Sequence, residues 1–224
     1  MRADGKKKRR LTFNEVPDFE PSWSPDGKTI AFVRVLGGAG PPTAAIYAMN
    51  ADGTKQREIA TGSPGSVFLG DPAWSPNGKA IAYTRFSFVD EIGEAAVYLM
   101  DASGSNPRKL ADDAADPSWS PDGRRIAFVT GRDANGRCLF HDCQGYAPEI
   151  YVMRADGSRP RRVTRSRKTD VSPAWSPGGR RIAFARIATE NSDYEIYSIR
   201  PDGSGLRRLT RNNVWDYQPA WRPR

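Results

Sequence analysis

The sequence predicts an all-β protein built from four-stranded antiparallel units, and three observations carry this prediction. A motif around Trp-Ser-Pro occurs four times, 21 glycines and 18 prolines interrupt the 224 residues at short intervals, and apolar residues alternate with small or polar ones between these breaks. Alternation with a period of two is typical of strands, and no segment between the breaks keeps a helical period. Long helices are therefore not expected.

The repeat has four parts in a constant order, which we name strands a, b, c and d. Strand a carries the tryptophan, strand b carries Ile-Ala and an aromatic residue, strand c carries Ile-Tyr or Val-Tyr, and strand d is a basic segment with one aliphatic residue. The a–b turn of the first unit is Pro25-Asp26-Gly27, and an Asp-Gly pair stands between its c and d strands. Proline presets φ and glycine accepts positive φ, so both connections are predicted to be tight turns.

Four-stranded units that repeat about every 45 residues are typical of a β-propeller, in which the units form blades around a central channel. One such unit cannot bury both of its faces, so neighbouring blades must stack on each other. Large rings at a fixed place in the repeat are therefore expected to fill the core between blades rather than to bind a ligand. These structural tryptophans are Trp23, Trp74, Trp119, Trp175 and Trp221.

We expect a single propeller domain over residues 1–224. Residues 13–60, 61–111, 112–165 and 166–211 form full repeats, whereas 1–12 end an incomplete blade and 212–224 begin a further one. The start Met1–Gly5 aligns with Met153–Gly157, which ends a c strand. The terminal pieces supply an a strand and a d strand without b. We therefore expect a fragment of a larger propeller, or an open arc completed by self-association.

These repeats resemble the PD40 (WD40-like) repeats of the TolB β-propeller family, whose pattern is Pro-x-Trp-Ser-Pro-Asp-Gly, then Ile-Ala-Phe, then Ile-Tyr-x-Met-x-Ala-Asp-Gly. Segments 173–184 and 150–164 match this pattern closely. The resemblance implies a complete propeller of about six blades, of which this chain would be a fragment. It also implies a non-catalytic protein that binds a protein or peptide partner in the cell envelope. Similar propellers gate prolyl-oligopeptidase-like peptidases or act as oligogalacturonate lyases, so an accessory domain of a peptidase or carbohydrate-active enzyme is the alternative.

Several function classes are excluded by what the sequence lacks. His141 is the single histidine, and no Gly-x-Ser-x-Gly motif occurs. We therefore expect no enzyme, no catalytic residue, no cofactor and no metal. No apolar run is long enough to span a membrane, so no membrane insertion is expected. The net charge is +8, but many cations fall on d strands, where lysine and arginine block edge-to-edge pairing, so nucleic acid is not the expected partner.

The two cysteines lie in the longest b–c connection. A disulfide between Cys138 and Cys143 is the main interpretation, and two free thiols or a metal site with His141 are the alternatives. Together with the family resemblance, this disulfide predicts a periplasmic or extracellular protein, although no signal peptide is present in the chain.

The candidate binding site is an acidic rim around the channel. Alternate turns of a meander fall on opposite ends, so the long b–c loops and the d–a connections share one face, where binding loops are expected. Carboxylates stand just before or within each a strand on this face; the predicted rim residues are Glu20, Asp71, Asp116, Asp170 and Asp216. Such a rim would favour a cationic group of a partner. The alternative is that these carboxylates bond backbone amides locally.

Overall fold

The computed structural model describes residues 8–37, 41–89, 92–131, 147–166, 168–187, 193–212 and 214–222. Cys138, Cys143 and His141 lie outside these residues, so the predicted disulfide stays a prediction. Within the described ranges no helix is long and apolar enough to cross a membrane.

The described chain is all β, as predicted, and each full repeat forms a four-stranded antiparallel meander. The first blade contains β1 (Asp18–Trp23), β2 (Thr29–Leu36), β3 (Thr43–Asn50) and β4 (Arg57–Thr61). The second contains β5 (Val67–Trp74), β6 (Ala80–Val89), β7 (Ile92–Asp101) and β8 (Arg108–Asp112). The third contains β9 (Ala114–Trp119), β10 (Arg125–Thr130), β11 (Glu149–Arg154) and β12 (Arg161–Arg162). The fourth contains β13 (Asp170–Trp175), β14 (Ile182–Ile187), β15 (Tyr194–Ile199) and β16 (Arg207–Arg208).

The a–b turns are held by the serine of Trp-Ser-Pro. In the first blade the Ser24 carbonyl accepts a hydrogen bond from the Gly27 N–H over 2.9 Å. The Ser24 hydroxyl donates to Asp26 and accepts from the Thr29 N–H, which begins β2. Gly27 has φ of 68°, which only glycine adopts without strain. The motif therefore forms the turn, and the tryptophan before it is left to pack.

The core lies between the blades, because each sheet buries its faces against the neighbouring sheets. Three buried clusters separate the four blades. Trp74, Trp119 and Trp175 each pack in one of them, and Trp175 is only 7% exposed. The Trp119 ring N–H also donates to the Ala73 carbonyl of the preceding blade over 3.1 Å. Apolar burial and one polar contact thus join successive blades.

Residues at the two ends of the row of blades pack differently from those between blades. Trp23 of the first blade is 54% exposed, and no described blade lies against it. Trp221 donates to the Ala174 carbonyl over 2.9 Å, as Trp119 does to Ala73. Leu11 packs against the outer face of the first blade, although residues 8–12 form no strand.

The basic d strands have a second role beside protecting an edge. Arg162 and Arg208 donate to the buried carboxylates of Glu149 and Glu195 over 2.7 and 2.9 Å. These bonds tie strand d to strand c in the third and fourth blades. Edge protection therefore accounts only for outward cations such as Arg161 and Arg207, which are exposed.

Candidate functional site

The first strands of neighbouring blades contact each other and form the innermost layer of the arc. Each of these strands has one residue with positive φ directly before its proline, and the sheet register shifts there in all four blades. The φ values of these four residues, Glu20, Asp71, Asp116 and Ser172, lie between 51° and 59°. Gln218, which precedes Pro219 outside the strands of the four blades, has φ of 52°. A bulge thus interrupts strand pairing at the same place in each blade.

The three carboxylates of this set, which we call the acid row, are joined from blade to blade by hydrogen bonds. Glu20 Oε2 accepts from the Asp71 N–H over 2.7 Å. Asp71 Oδ2 accepts from the Thr84 hydroxyl over 2.7 Å, and this hydroxyl accepts from the Asp116 N–H over 3.0 Å. Asp116 Oδ2 accepts from the Ser172 N–H over 2.9 Å. The acid row therefore satisfies bulge N–H groups that strand pairing leaves free.

Close packing of the acid row disfavours its full ionisation. Burial, assisted by the charge on Asp71, raises the pKa of Glu20 to about 7. The same two causes raise the pKa of Asp116 to about 7. Burial also raises the pKa of Asp71. Near neutral pH the row therefore holds protons, and a cation placed beside it would favour their release.

Asp170 differs from the acid row, so we remove it from the predicted rim. Its carboxylate is fully buried and forms a two-pronged ion pair with Arg186, with N–O distances of 2.5 and 2.6 Å. Burial raises the pKa of Asp170 to about 6 despite the opposing effect of Arg186. In the first blade Asp18 and Arg34 form the same pair over 2.7 and 2.8 Å. Both pairs brace strands a and b, and the buried carboxylate of Asp170 is closed to a ligand.

Asp216 also lies outside the acid row. It is half-buried, and its Oδ2 accepts a hydrogen bond from the Asn212 side chain over 2.9 Å. Three of the five predicted rim residues therefore lie together in the structure. A carboxylate reaches the bulge only when it directly precedes the proline of strand a.

A second feature at this end of the blades, an aromatic groove, was not predicted from the sequence. It lies where the first and second blades meet and has a volume of about 510 Å³. Phe19, Phe68, Phe86 and Phe88 line it, and among the described residues Glu20 of the acid row is the one ionisable group in its lining. Aromatic residues in the variable b–c connection were the available signal, but the repeat pattern does not cover that connection.

Over the described ranges no group of three or more His, Cys, Asp or Glu residues is placed to hold a metal ion. The acid row bonds backbone amides and a hydroxyl rather than a nucleophile or a base. Its chemistry in the structure is that of a hydrogen-bond acceptor.

Sequence comparisons relate the chain to two kinds of protein. It is 28% identical over 182 residues to the uncharacterized peptidase YuxL of Bacillus subtilis, covering 81% of this chain and 24% of that protein. It is 38% identical over 76 residues to the Tol-Pal system protein TolB of Rhizorhabdus wittichii, covering 34% of this chain and 16% of that protein. The chain thus spans about a quarter or less of these relatives. No protein-family profile matches it.

Solved structures give the same result for the fold. A putative TolB from Agrobacterium tumefaciens superposes with a TM-score of 0.70 at 25% identity, covering 94% of this chain and 68% of that one. TolB from Acinetobacter baumannii gives 0.73 at 22% identity, covering 96% and 49%. A puromycin-hydrolyzing peptidase from Mycobacterium tuberculosis gives 0.67 at 18% identity, covering 92% and 33%. The chain therefore has the fold and the repeats of a TolB-like β-propeller.

Proposed function

We propose that this TolB-like propeller is a non-catalytic scaffold that binds a basic or amine-bearing segment of a protein partner at the channel face, in the cell envelope. The observation that carries the proposal is the acid row, because three carboxylates at equivalent places in successive blades converge on the innermost layer. Because the pKa values of the row are raised, a cation that docks beside it would favour release of its protons and would bind the carboxylates that result. Low-dielectric walls focus their field on an approaching cation.

The comparisons support an envelope partner. Two of the proteins to which the chain is similar are TolB proteins of the Tol-Pal system, and the resemblance extends over the described blades in fold. We accordingly propose a periplasmic or extracellular location. Cys138 and Cys143, if bonded, would suit such an oxidising compartment.

A second candidate function is an accessory or gating propeller of a peptidase or carbohydrate-active enzyme. The match to the YuxL peptidase covers more of the chain than the matches to curated TolB proteins. In that case the acid row would face a substrate entering through the channel.

Site-specific photo-cross-linking tests the proposed function. A benzophenone amino acid replaces Ser63, an exposed residue of the d–a connection between β4 and β5, or Arg207, an exposed residue of strand d in the fourth blade. The proteins are irradiated with a bacterial envelope extract, and products are identified by mass spectrometry. We expect one specific protein product from position 63 and none from position 207.

Two results would count against this proposal. Products only from position 207 would move the binding surface to the blade edge. A product in which the partner is a hydrolase would favour the accessory-domain function instead.

A further inference from the structure

The aromatic groove exposes apolar side chains that the repeat pattern does not explain. Phe19 and Phe88 remain 40% and 43% exposed. Phe68 and Phe88 meet edge to face, with ring centroids 5.6 Å apart. Exposed aromatic residues that gather at one place are typical of an interaction site rather than of a core.

The other blades show that these rings are not part of the fold's own packing. The residue just before the bulge is Phe19 in the first blade and Gly70 in the second. The place of Phe86, five residues after the isoleucine of strand b, is held by Gly131 in the third blade and Ile187 in the fourth. The blades form without aromatic residues at these positions, so the groove adds something that stacking does not need.

Glu20 gives the groove a charge at its inner end. Its Oε2 is held by the Asp71 N–H and lies close to Gly70, where an added Cβ would be 3.3 Å from that oxygen and 3.0 Å from the Phe86 ring. Glycine at position 70 therefore lets the carboxylate and the ring meet at the floor of the groove. A partner group that covers Glu20 removes water from its carboxylate. A cation in that group offsets the desolvation free energy best.

We propose that the aromatic groove binds a partner segment in which a large apolar side chain stands next to a lysine, an arginine or a free amino group. The apolar side chain fills the space between Phe19 and Phe88, and the cation lies against Glu20. The aromatic faces add a cation–π attraction for the same group. This inference rests on the proposed function and names the chemistry of the segment that the channel face selects.

The test uses blocked tetrapeptides as probes and the whole chain as receptor. The sequence glycine–phenylalanine–lysine–glycine is compared with one peptide in which glutamate replaces the lysine and one in which alanine replaces the phenylalanine. Binding is followed by NMR shift changes of the protein amides at neutral pH. We expect each replacement to weaken binding about tenfold or more, equivalent to ~1.4 kcal/mol. One replacement removes an apolar contact and the other removes a cationic contact.

Variants locate the site. Phe88→Ala and Phe19→Ala should each weaken binding of the phenylalanine–lysine peptide about tenfold. Phe13→Ala is the matched control, because Phe13 is 78% exposed and lies outside the groove. Thermal unfolding of every variant checks that the fold is kept, as expected for side chains that are partly exposed at the surface.

Equal binding of the lysine and glutamate peptides would overturn the role of Glu20, and no binding by any peptide would overturn the groove as a site. Loss of binding in Phe13→Ala but not in Phe88→Ala would place the site elsewhere. Shift changes of the groove amides that depend on protein concentration without peptide, and that persist in Leu209→Lys, would show that a second copy occupies the groove, which also overturns the proposal. The proposed function is tested independently by cross-linking. A partner that cross-links only at position 207 would contradict it, whatever the peptides do.

Discussion

The carboxylates at the channel end differ in role because their surroundings differ, even where the residue type is the same. Asp116 sits on a bulge and bonds a neighbouring blade, whereas Asp170 sits two residues before a bulge and pairs with Arg186. The sequence predicts equivalent places for Glu20, Asp71 and Asp116 because the proline fixes their register. It does not reveal their partners, since Glu20 and Asp71 bond across 51 positions of the chain.

The acid row should make stability depend on pH. The pKa of Glu20 is about 7 in the folded protein and near 4.5 when exposed, so the unfolded chain ionises first as pH rises. Its contribution to stability is thus fully present below about pH 4.5 and is lost towards pH 7. Glu20→Gln should reduce the fall in unfolding free energy between pH 5 and pH 8 by ~2 kcal/mol.

Thermal and urea unfolding at both pH values measure this effect. Glu15→Gln is the control, because Glu15 is exposed and outside the row. An unchanged pH dependence in Glu20→Gln would mean that this carboxylate ionises as readily as one in water.

The buried pair in the fourth blade should be far more sensitive to truncation than the half-buried Asp216. Asp170→Ala leaves the guanidinium of Arg186, a residue that is 7% exposed, without its carboxylate. We expect a loss of ~3–5 kcal/mol in unfolding free energy, against less than ~1 kcal/mol for Asp216→Ala. Equal losses in urea unfolding would contradict the assignment of Asp170 as a brace between strands.

At the scale of elements, the glycines of the a–b turns and of the c–d turns have different surroundings. Both have positive φ, but the c–d turn of one blade presses on strand d of the blade before it. A Cβ on Gly104 would lie 1.8 Å from the Ile59 carbonyl oxygen, whereas a Cβ on Gly27 of an a–b turn meets nothing within 4 Å. The turn residues were predictable from the sequence, but this contact between blades was not, because it joins separate repeats.

Alanine at these two glycines separates backbone strain from a clash between blades. Gly27→Ala should cost ~1–2 kcal/mol, the penalty of a left-handed residue. Gly104→Ala must also displace Ile59, and we expect a loss of more than ~3 kcal/mol in unfolding free energy. Similar urea midpoints for the two variants would show that the blades do not touch at this turn.

Alanine substitutions at two tryptophans, one buried and one exposed, test how the blades stack on each other. Trp175→Ala should cost ~3–5 kcal/mol, since this ring is buried between the third and fourth blades and its loss leaves a cavity. Trp23→Ala should cost ~1 kcal/mol or less, because its ring is 54% exposed. A larger loss for Trp23 in denaturant unfolding would mean that another surface covers it.

At the scale of the whole molecule, the sequence predicts the blades well because each repeat carries its own turns, alternation and tryptophan. The predicted all-β class and propeller architecture are confirmed. The aromatic groove could not be predicted, because it is built from non-repeating residues of two blades that only stacking brings together. The same holds for the ion pairs from strand d to Glu149 and Glu195.

The outer face of the fourth blade should make the 224-residue chain associate with itself. Leu209 is 53% exposed and Trp215 is 68% exposed, whereas Val163, at the place of Leu209 in the third blade, is buried between blades. Exposed apolar surface of this kind favours association. Sedimentation should show oligomers that increase with protein concentration and decrease in Leu209→Lys. A compact monomer over a wide concentration range would contradict this expectation.

The most direct test of the central claim measures how tightly the cross-linked partner binds when the acid row is neutralised. Glu20→Gln, Asp71→Asn and Asp116→Asn are combined in one chain, and Arg161→Gln with Arg207→Gln forms the matched control on the outer edge. Affinity is measured at low and at physiological salt. We expect the first set to weaken binding about tenfold or more and to flatten its salt dependence, while the second set has no effect. Loss of binding in the edge set, with full binding in the acid-row set, would contradict a cation site at the channel face.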